Sequence, residues 1–233
     1  MKEFTIGVLG GMGTYATIHL FQQYAEVFPA EKEWDRPRII IDNRCTMPSR
    51  VRAFLYEEKI DELVNEMIDS MQHLIDSGCN RVLLACNTSH LFLKQIYTKV
   101  PDLENKVINI IHNCVEQIKK DGITEVFLLA SEGTIDSGLY QDALKKEEIK
   151  CTVPGTEEYG LLRKCIEAVK QNNYIDEIKD IFCELVERQK TCILGCTELP
   201  ILYEKYSKNI IGRNIYDPLL LSLKKLKEEY DNV

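Results

Sequence analysis

LLACNT at 83–88 and ILGCT at 193–197 are two versions of one phrase: an apolar run, a cysteine, then hydroxyl or amide side chains. Short apolar runs of this kind read as strands buried on both faces, which puts the polar residues at each strand's C-terminal end. Outward from these two, the runs at 4–9, 37–42, 81–86, 106–110, 124–130, 149–153 and 190–195 alternate with longer helical patterns. That rhythm predicts βαβ units and parallel sheets, an α/β fold. Between 57 and 77, Ile60, Leu63, Val64, Met67, Ile68, Met71, Leu74 and Ile75 recur at helical spacing, and Gly78 supplies a stop. The repeated phrase predicts two similar lobes, residues 1–105 with 214–233 and residues 106–213, the last helix at 217–230 returning to the first. Ligands of open α/β sheets bind outside the carboxyl ends of the strands, so a pseudo-twofold axis between the lobes would bring Cys86 and Cys196 to one cleft.

Composition narrows the function classes. A chain of 233 residues that is 45% hydrophobic can bury its own core, and a formal charge of −8 argues against a general nucleic-acid or anionic-membrane surface. No apolar run approaches the roughly 20 residues of a membrane span. The opening MKEFTIGVLGGMG passes directly into a strand and glycine loop rather than a signal peptide, so a cytoplasmic location is expected. Nine scattered cysteines without a C-x-x-C pair fit reduced thiols, and four separated histidines form no metal-ligand motif.

Three segments carry chemistry. Gly10-Gly11-Met12-Gly13, between a strand and a helix starting near Thr14, predicts backbone N–H groups and a helix dipole turned toward an anion. The same loop matches the permissive G-x-G-x-x-A dinucleotide pattern with Asp42 as a ribose acid, although Asp42 comes later than the usual interval. At Cys86-Asn87-Thr88-Ser89-His90 a strand-end thiol near a helix N-terminus can act as a base, with Asn87 and Thr88 as donors and His90 more simply a locally satisfied helix residue. Gly195-Cys196-Thr197-Glu198 repeats the arrangement. Two thiols working alternately as thiolate and thiol could remove a proton from one face of a carbon and deliver one to the other.

Together GVLGGMGTYAT, ACNTSH, LLASEGTIDSGLYQDAL at 128–144 and LGCTELP resemble the aspartate/glutamate racemase family over essentially the whole chain. The resemblance implies a two-lobed pseudosymmetric fold and no pyridoxal phosphate or metal. It also implies Cys86 and Cys196 as the acid/base pair, with an acidic amino acid held at its carboxylate by the Met12 loop, Asn87, Thr88, Thr134 and Thr197. Arg50, in Met47-Pro48-Ser49-Arg50, looks like the family arginine that pairs with a side-chain carboxylate, and Lys170 sits where some relatives carry a basic residue. A homodimer is a further family-level expectation. Dedicated glutamate racemases open with Asp-Ser-Gly and follow the second cysteine with Thr-His; Gly11-Met12-Gly13 and Thr197-Glu198 instead point toward the aspartate or broad-specificity branch. Hydantoin racemase, maleate isomerase and malonate decarboxylase chemistry are the alternatives on the same scaffold. A nucleotide-binding oxidoreductase rests on the glycine pattern alone, and a non-catalytic amino-acid-binding protein is the remaining class.

Overall fold

A computed structural model describes residues 3–232; positions 1, 2 and 233 of the expected first lobe lie outside the described residues. In chain order the first group of elements is β1 (Thr5–Gly10), α1 (Thr14–Val27), β2 (Arg38–Asn43), α2 (Arg50–Tyr56), α3 (Ile60–Asp76), β3 (Arg81–Leu84), α4 (Leu93–Lys99) and β4 (Val107–Ile108). The second is α5 (Ile110–Lys120), β5 (Glu125–Leu129), α6 (Glu132–Asp136), α7 (Leu139–Lys146), β6 (Lys150–Thr152), α8 (Tyr159–Lys170), α9 (Asp176–Glu187), β7 (Thr191–Leu194), α10 (Leu199–Tyr206), β8 (Asn214–Tyr216) and α11 (Pro218–Asp231).

These strands form two four-stranded sheets, ordered β2-β1-β3-β4 and β6-β5-β7-β8, and every pairing is parallel. The order is the same in both: the first strand of each lobe lies between the second and the third. The protein is therefore α/β, built from two copies of one topology. Leu9 stands opposite Leu84 in the first sheet and Leu129 opposite Leu194 in the second, which sets the cysteine-bearing turns beside the ends of β1 and β5.

Two compact units correspond to the sheets, one running to Ile110 and resuming at Leu219, the other spanning Ile111–Pro218. The divisions fall there, rather than after 105 and 213, because β4 pairs with β3 and β8 pairs with β7. The resumed segment is anchored in the first unit. Tyr230 packs on Phe4 and Phe28 at ring distances of 6.0 and 5.9 Å, its hydroxyl donates to the Asp35 carbonyl at 2.8 Å, and Glu229 pairs with Arg81 at 2.9 Å.

Local chemistry explains where the elements depart from the sequence pattern. The helix expected from 57 begins at Ile60, since Glu57 and Lys59 both adopt left-handed backbone and separate α2 from α3. From there Leu63, Val64, Met67, Met71 and Leu74 are buried in one cluster with Leu9, Val82 and Leu84. Each such side chain contributes roughly 1.5–3 kcal/mol over its exposed state. The eighth strand, Asn214–Tyr216, has no counterpart among the seven expected; three residues are too short to display a period. Among the described residues no helix is long and apolar enough to cross a membrane.

Candidate active site

In the first unit the site begins where β1 ends. Gly11 has φ +78°, and a Cβ there would lie 2.5 Å from the Cys45 nitrogen and 2.6 Å from the Arg44 carbonyl carbon, so only glycine fits. Thr17, one turn into α1, braces the loop: its hydroxyl accepts from the Gly11 N–H at 3.0 Å and donates to the Gly13 carbonyl at 2.9 Å. Within the loop the Gly11 N–H is therefore already used by Thr17. What remains for an anion is the start of α1, whose N-cap, Gly13, brings no side chain to its first turn.

Met12 is buried, and its carbonyl accepts Arg50 Nη2 at 2.9 Å while the Pro48 carbonyl accepts Nη1 at 3.0 Å. Arg50 opens α2 behind Ser49, whose hydroxyl caps the Arg52 N–H at 3.3 Å. Arg44 and Arg52 spend their charge on Asp69 and Glu58, at 2.7 and 2.6 Å, but Arg50 has no carboxylate partner among the described residues. Carbonyls orient a guanidinium without cancelling its charge, so Arg50 is a held cation still able to take an anion.

Beside this loop, the Ala85 N–H donates to the Leu9 carbonyl at 2.9 Å and the chain turns at Cys86. The Cys86 carbonyl receives the Ser89 hydroxyl at 2.6 Å and His90 Nδ1 at 3.0 Å. His90 Nε2 faces the Ile110 N–H at 3.4 Å, which assigns the proton to Nδ1 and gives His90 a structural task. Asn87 and Thr88 are buried. The element after Cys86 is a 3-10 turn, Thr88–Phe92, and only then α4, so the thiol adjoins a shorter helical terminus than the sequence suggests.

The second unit repeats the build. The Gly195 N–H donates to the Leu129 carbonyl at 2.7 Å, as Ala85 does to Leu9, and Cys196 follows. A Cβ on Gly195 would meet Leu128 Cδ1 at 2.7 Å and Ala130 Cβ at 3.0 Å, so β7 can turn out here only against β5 without a side chain. Thr134, fully buried on α6 beyond the end of β5, lies 3.1 Å from Ser131 by their hydroxyls. Cys196 is half-buried; its Sγ–H donates to Glu198 Oε2 at 3.0 Å, and the Thr197 hydroxyl donates to the same oxygen at 3.4 Å. Lys170 ends α8 bonded to Glu167 at 2.9 Å; burial pulls its pKa down, but this bond and the carboxylate charges of Glu198 and Glu167 hold the ammonium above its ordinary value.

The structure thus joins Met12 to Arg50 directly and sets both near the Cys86–Thr88 turn, and in the other unit it sets Cys196 and Thr197 beside the strand that leads to Thr134. Parallel strand ends bearing a thiol, twice over, are accompanied by a match to the Asp/Glu/hydantoin racemase family over residues 9–226. The chain belongs to this family. Its relatives include the broad specificity amino-acid racemase RacX of Bacillus subtilis, 24% identical over 88% of this chain and 90% of that one. The glutamate racemase of Aquifex aeolicus is 27% identical over 68% of this chain, which spans 62% of that enzyme's length. Among solved structures, Picrophilus torridus aspartate racemase superposes with a TM-score of 0.82 at 24% identity, covering 98% of both chains. Glutamate racemase from Francisella tularensis, solved with D-glutamate, gives 0.70 at 20% identity over 100% of this chain and 82% of that one. These named relatives are isomerases.

Family membership and geometry agree in setting the dinucleotide pattern aside. Asp42, the expected ribose acid, has its Oδ2 bonded by the Ser70 hydroxyl at 2.6 Å and paired with Arg44 at 3.4 Å. The chain also holds two residues that its sequence pattern did not mark, Thr17 as the brace of the glycine loop and Glu198 as the acceptor of the Cys196 thiol. Thr17 stands one helical turn after Gly13, and Glu198 follows its cysteine by a single intervening residue. Both spacings are visible in the sequence once a turn is placed there.

Proposed function

We propose that this family member racemises an acidic amino acid, aspartate or glutamate, by a two-base mechanism that needs neither pyridoxal phosphate nor metal. The observation that carries the reading is the duplicated strand-end build, in which Ala85 N–H to Leu9 O and Gly195 N–H to Leu129 O position Cys86 and Cys196 equivalently in their own lobes. The scheme requires one thiol on each face of Cα. One thiolate takes the α-proton, so that the Cα–H bond breaks as an S–H bond forms. The other thiol gives its proton to the opposite face and becomes the thiolate. Because the two groups are chemically alike, the scheme runs in either direction. The start of α1 with the Met12 loop, Asn87, Thr88, Thr134 and Thr197 would hold the α-carboxylate, and Arg50 the distal one. Its uncancelled charge favours an acidic side chain over a hydantoin ring. A cytoplasmic enzyme and a homodimer are the accompanying expectations.

The test is incubation in D₂O, without added cofactor, with each enantiomer of aspartate and glutamate, following α-proton loss and chirality. Cys196 is assigned to the L-face and Cys86 to the D-face. Cys86→Ala should stop racemisation yet allow slow exchange of the L-substrate with retained configuration, and Cys196→Ala should exchange only the D-substrate. Either variant racemising at the parent rate would rule out the scheme.

A further inference from the structure

The scheme above makes the two thiols interchangeable, but their surroundings differ by one carboxylate. Cys196 Sγ–H donates to Glu198 Oε2 at 3.0 Å. Glu198 is only 2% exposed, its Oε1 is buried without a hydrogen-bond partner among the described residues, and no Lys or Arg there forms an ion pair with it. The turn imposes the contact. The Leu199 N–H bonds the Cys196 carbonyl at 3.0 Å and Glu198 caps α10 in helical backbone, so the carboxylate folds back over the thiol two positions before it. After Cys86 the corresponding residues are Asn87 and Thr88, which carry no charge.

Other charged and titratable groups also act on this pair. Lys170, from α8, is coupled electrostatically to both Glu198 and Cys196 but is bonded to Glu167, and Tyr140, fully buried on α7, is coupled to Cys196 together with Cys114 and Asp217. A thiolate next to a carboxylate is disfavoured, and an S–H···O⁻ bond keeps the proton on sulfur.

We infer that Glu198 is a positioning residue that shares one proton with Cys196, holding it as the thiol in the resting enzyme and aiming its S–H. The inference rests on the reading of Cys196 as one of the two bases, and it makes Cys196 the resting acid and leaves the base to Cys86. When Cys196 serves as the base, its S–H bond breaks, the proton passes to Glu198 Oε2 as an O–H bond forms, and the thiolate then accepts the α-proton.

The test reads the thiol rather than turnover. Full-length parent, Glu198→Gln and Glu198→Asp proteins are alkylated with iodoacetamide over a pH series, and the rate at Cys196 is followed by peptide mass spectrometry with exposed Cys45 as the internal standard. The glutamine variant should lower the Cys196 midpoint by about one pH unit or more, about tenfold more thiolate at a fixed pH below it. The aspartate variant, with its charge withdrawn by a methylene, should fall between. A midpoint unmoved in a folded glutamine variant overturns the inference. Should that variant not fold by circular dichroism, an unmoved midpoint in the aspartate variant does so. A parent that exchanges no α-proton would remove the two-thiol scheme while leaving this comparison intact.

Discussion

Gly11→Ala tests whether the glycine loop positions the site, and Gly78→Ala separates that role from backbone strain. Both glycines have positive φ, +78° and +91°, so an alanine at either costs about 1–2 kcal/mol for the left-handed backbone. Beyond this they differ. A Cβ on Gly78 has nothing within 4 Å, whereas one on Gly11 lies 2.5 Å from the Cys45 backbone nitrogen, and reaching ordinary contact at 3.4 Å moves the loop by about 0.9 Å. Forcing an extra methyl into a packed site typically costs a further 1–3 kcal/mol or so. The Gly11 variant should therefore lose about 2–5 kcal/mol and the Gly78 variant about 1–2 kcal/mol, measured by urea unfolding at pH 7.

The loop displacement passes to function through the Met12 carbonyl, which holds Arg50 Nη2 at 2.9 Å. A misplacement near 1 Å can cost roughly 100-fold in rate, so kcat/KM for α-proton exchange should fall about 10- to 100-fold in Gly11→Ala and stay near parent in Gly78→Ala. Equal stability losses in the two variants, with exchange unaffected in both, would refute the argument that this loop is a steric keystone of the site.

Two further outcomes follow from the contacts. Arg50→Lys keeps the charge but cannot satisfy both the Met12 and Pro48 carbonyls, so kcat/KM for aspartate and glutamate should fall at least about tenfold, the worth of one charge-assisted hydrogen bond; an unchanged value for both substrates would sink the assignment. Burial raises the Cys151 thiol from 9.0 to about 11 and the Cys165 and Cys192 thiols to about 12, so the fold prefers them protonated. Their contribution is complete below the unfolded value and is lost as pH rises toward 11–12, so the urea midpoint should hold steady from pH 7 to 8.5 and decline above pH 9; a flat profile to pH 11 would contradict it.

The sheets were legible in the sequence because a parallel strand covered on both faces is an apolar run, and β1, β3, β5 and β7 all read that way. β8 was not, being three residues with an exposed start, and neither was the break at Glu57–Lys59, since nothing in those side chains announces left-handed backbone. The site divides along the same line. Residue types at strand ends nominate candidate groups, but not which of them are already engaged: the Gly11 N–H belongs to Thr17, and Arg50 is held by carbonyls rather than by an acid.

That distinction bears on how a duplicated fold runs an acid/base reaction. The repeat supplies position, since the same main-chain bond fixes the turn before each cysteine. It does not decide which thiol carries the proton at rest, because identical surroundings would give both the same proton affinity and leave the singly protonated state evenly divided between them. A preference has to come from residues at which the lobes diverge. Here the divergence begins directly after the cysteines, where Asn87-Thr88 in one lobe corresponds to Thr197-Glu198 in the other. The carboxylate on the second thiol is the local asymmetry that can tell two topologically equivalent cysteines apart.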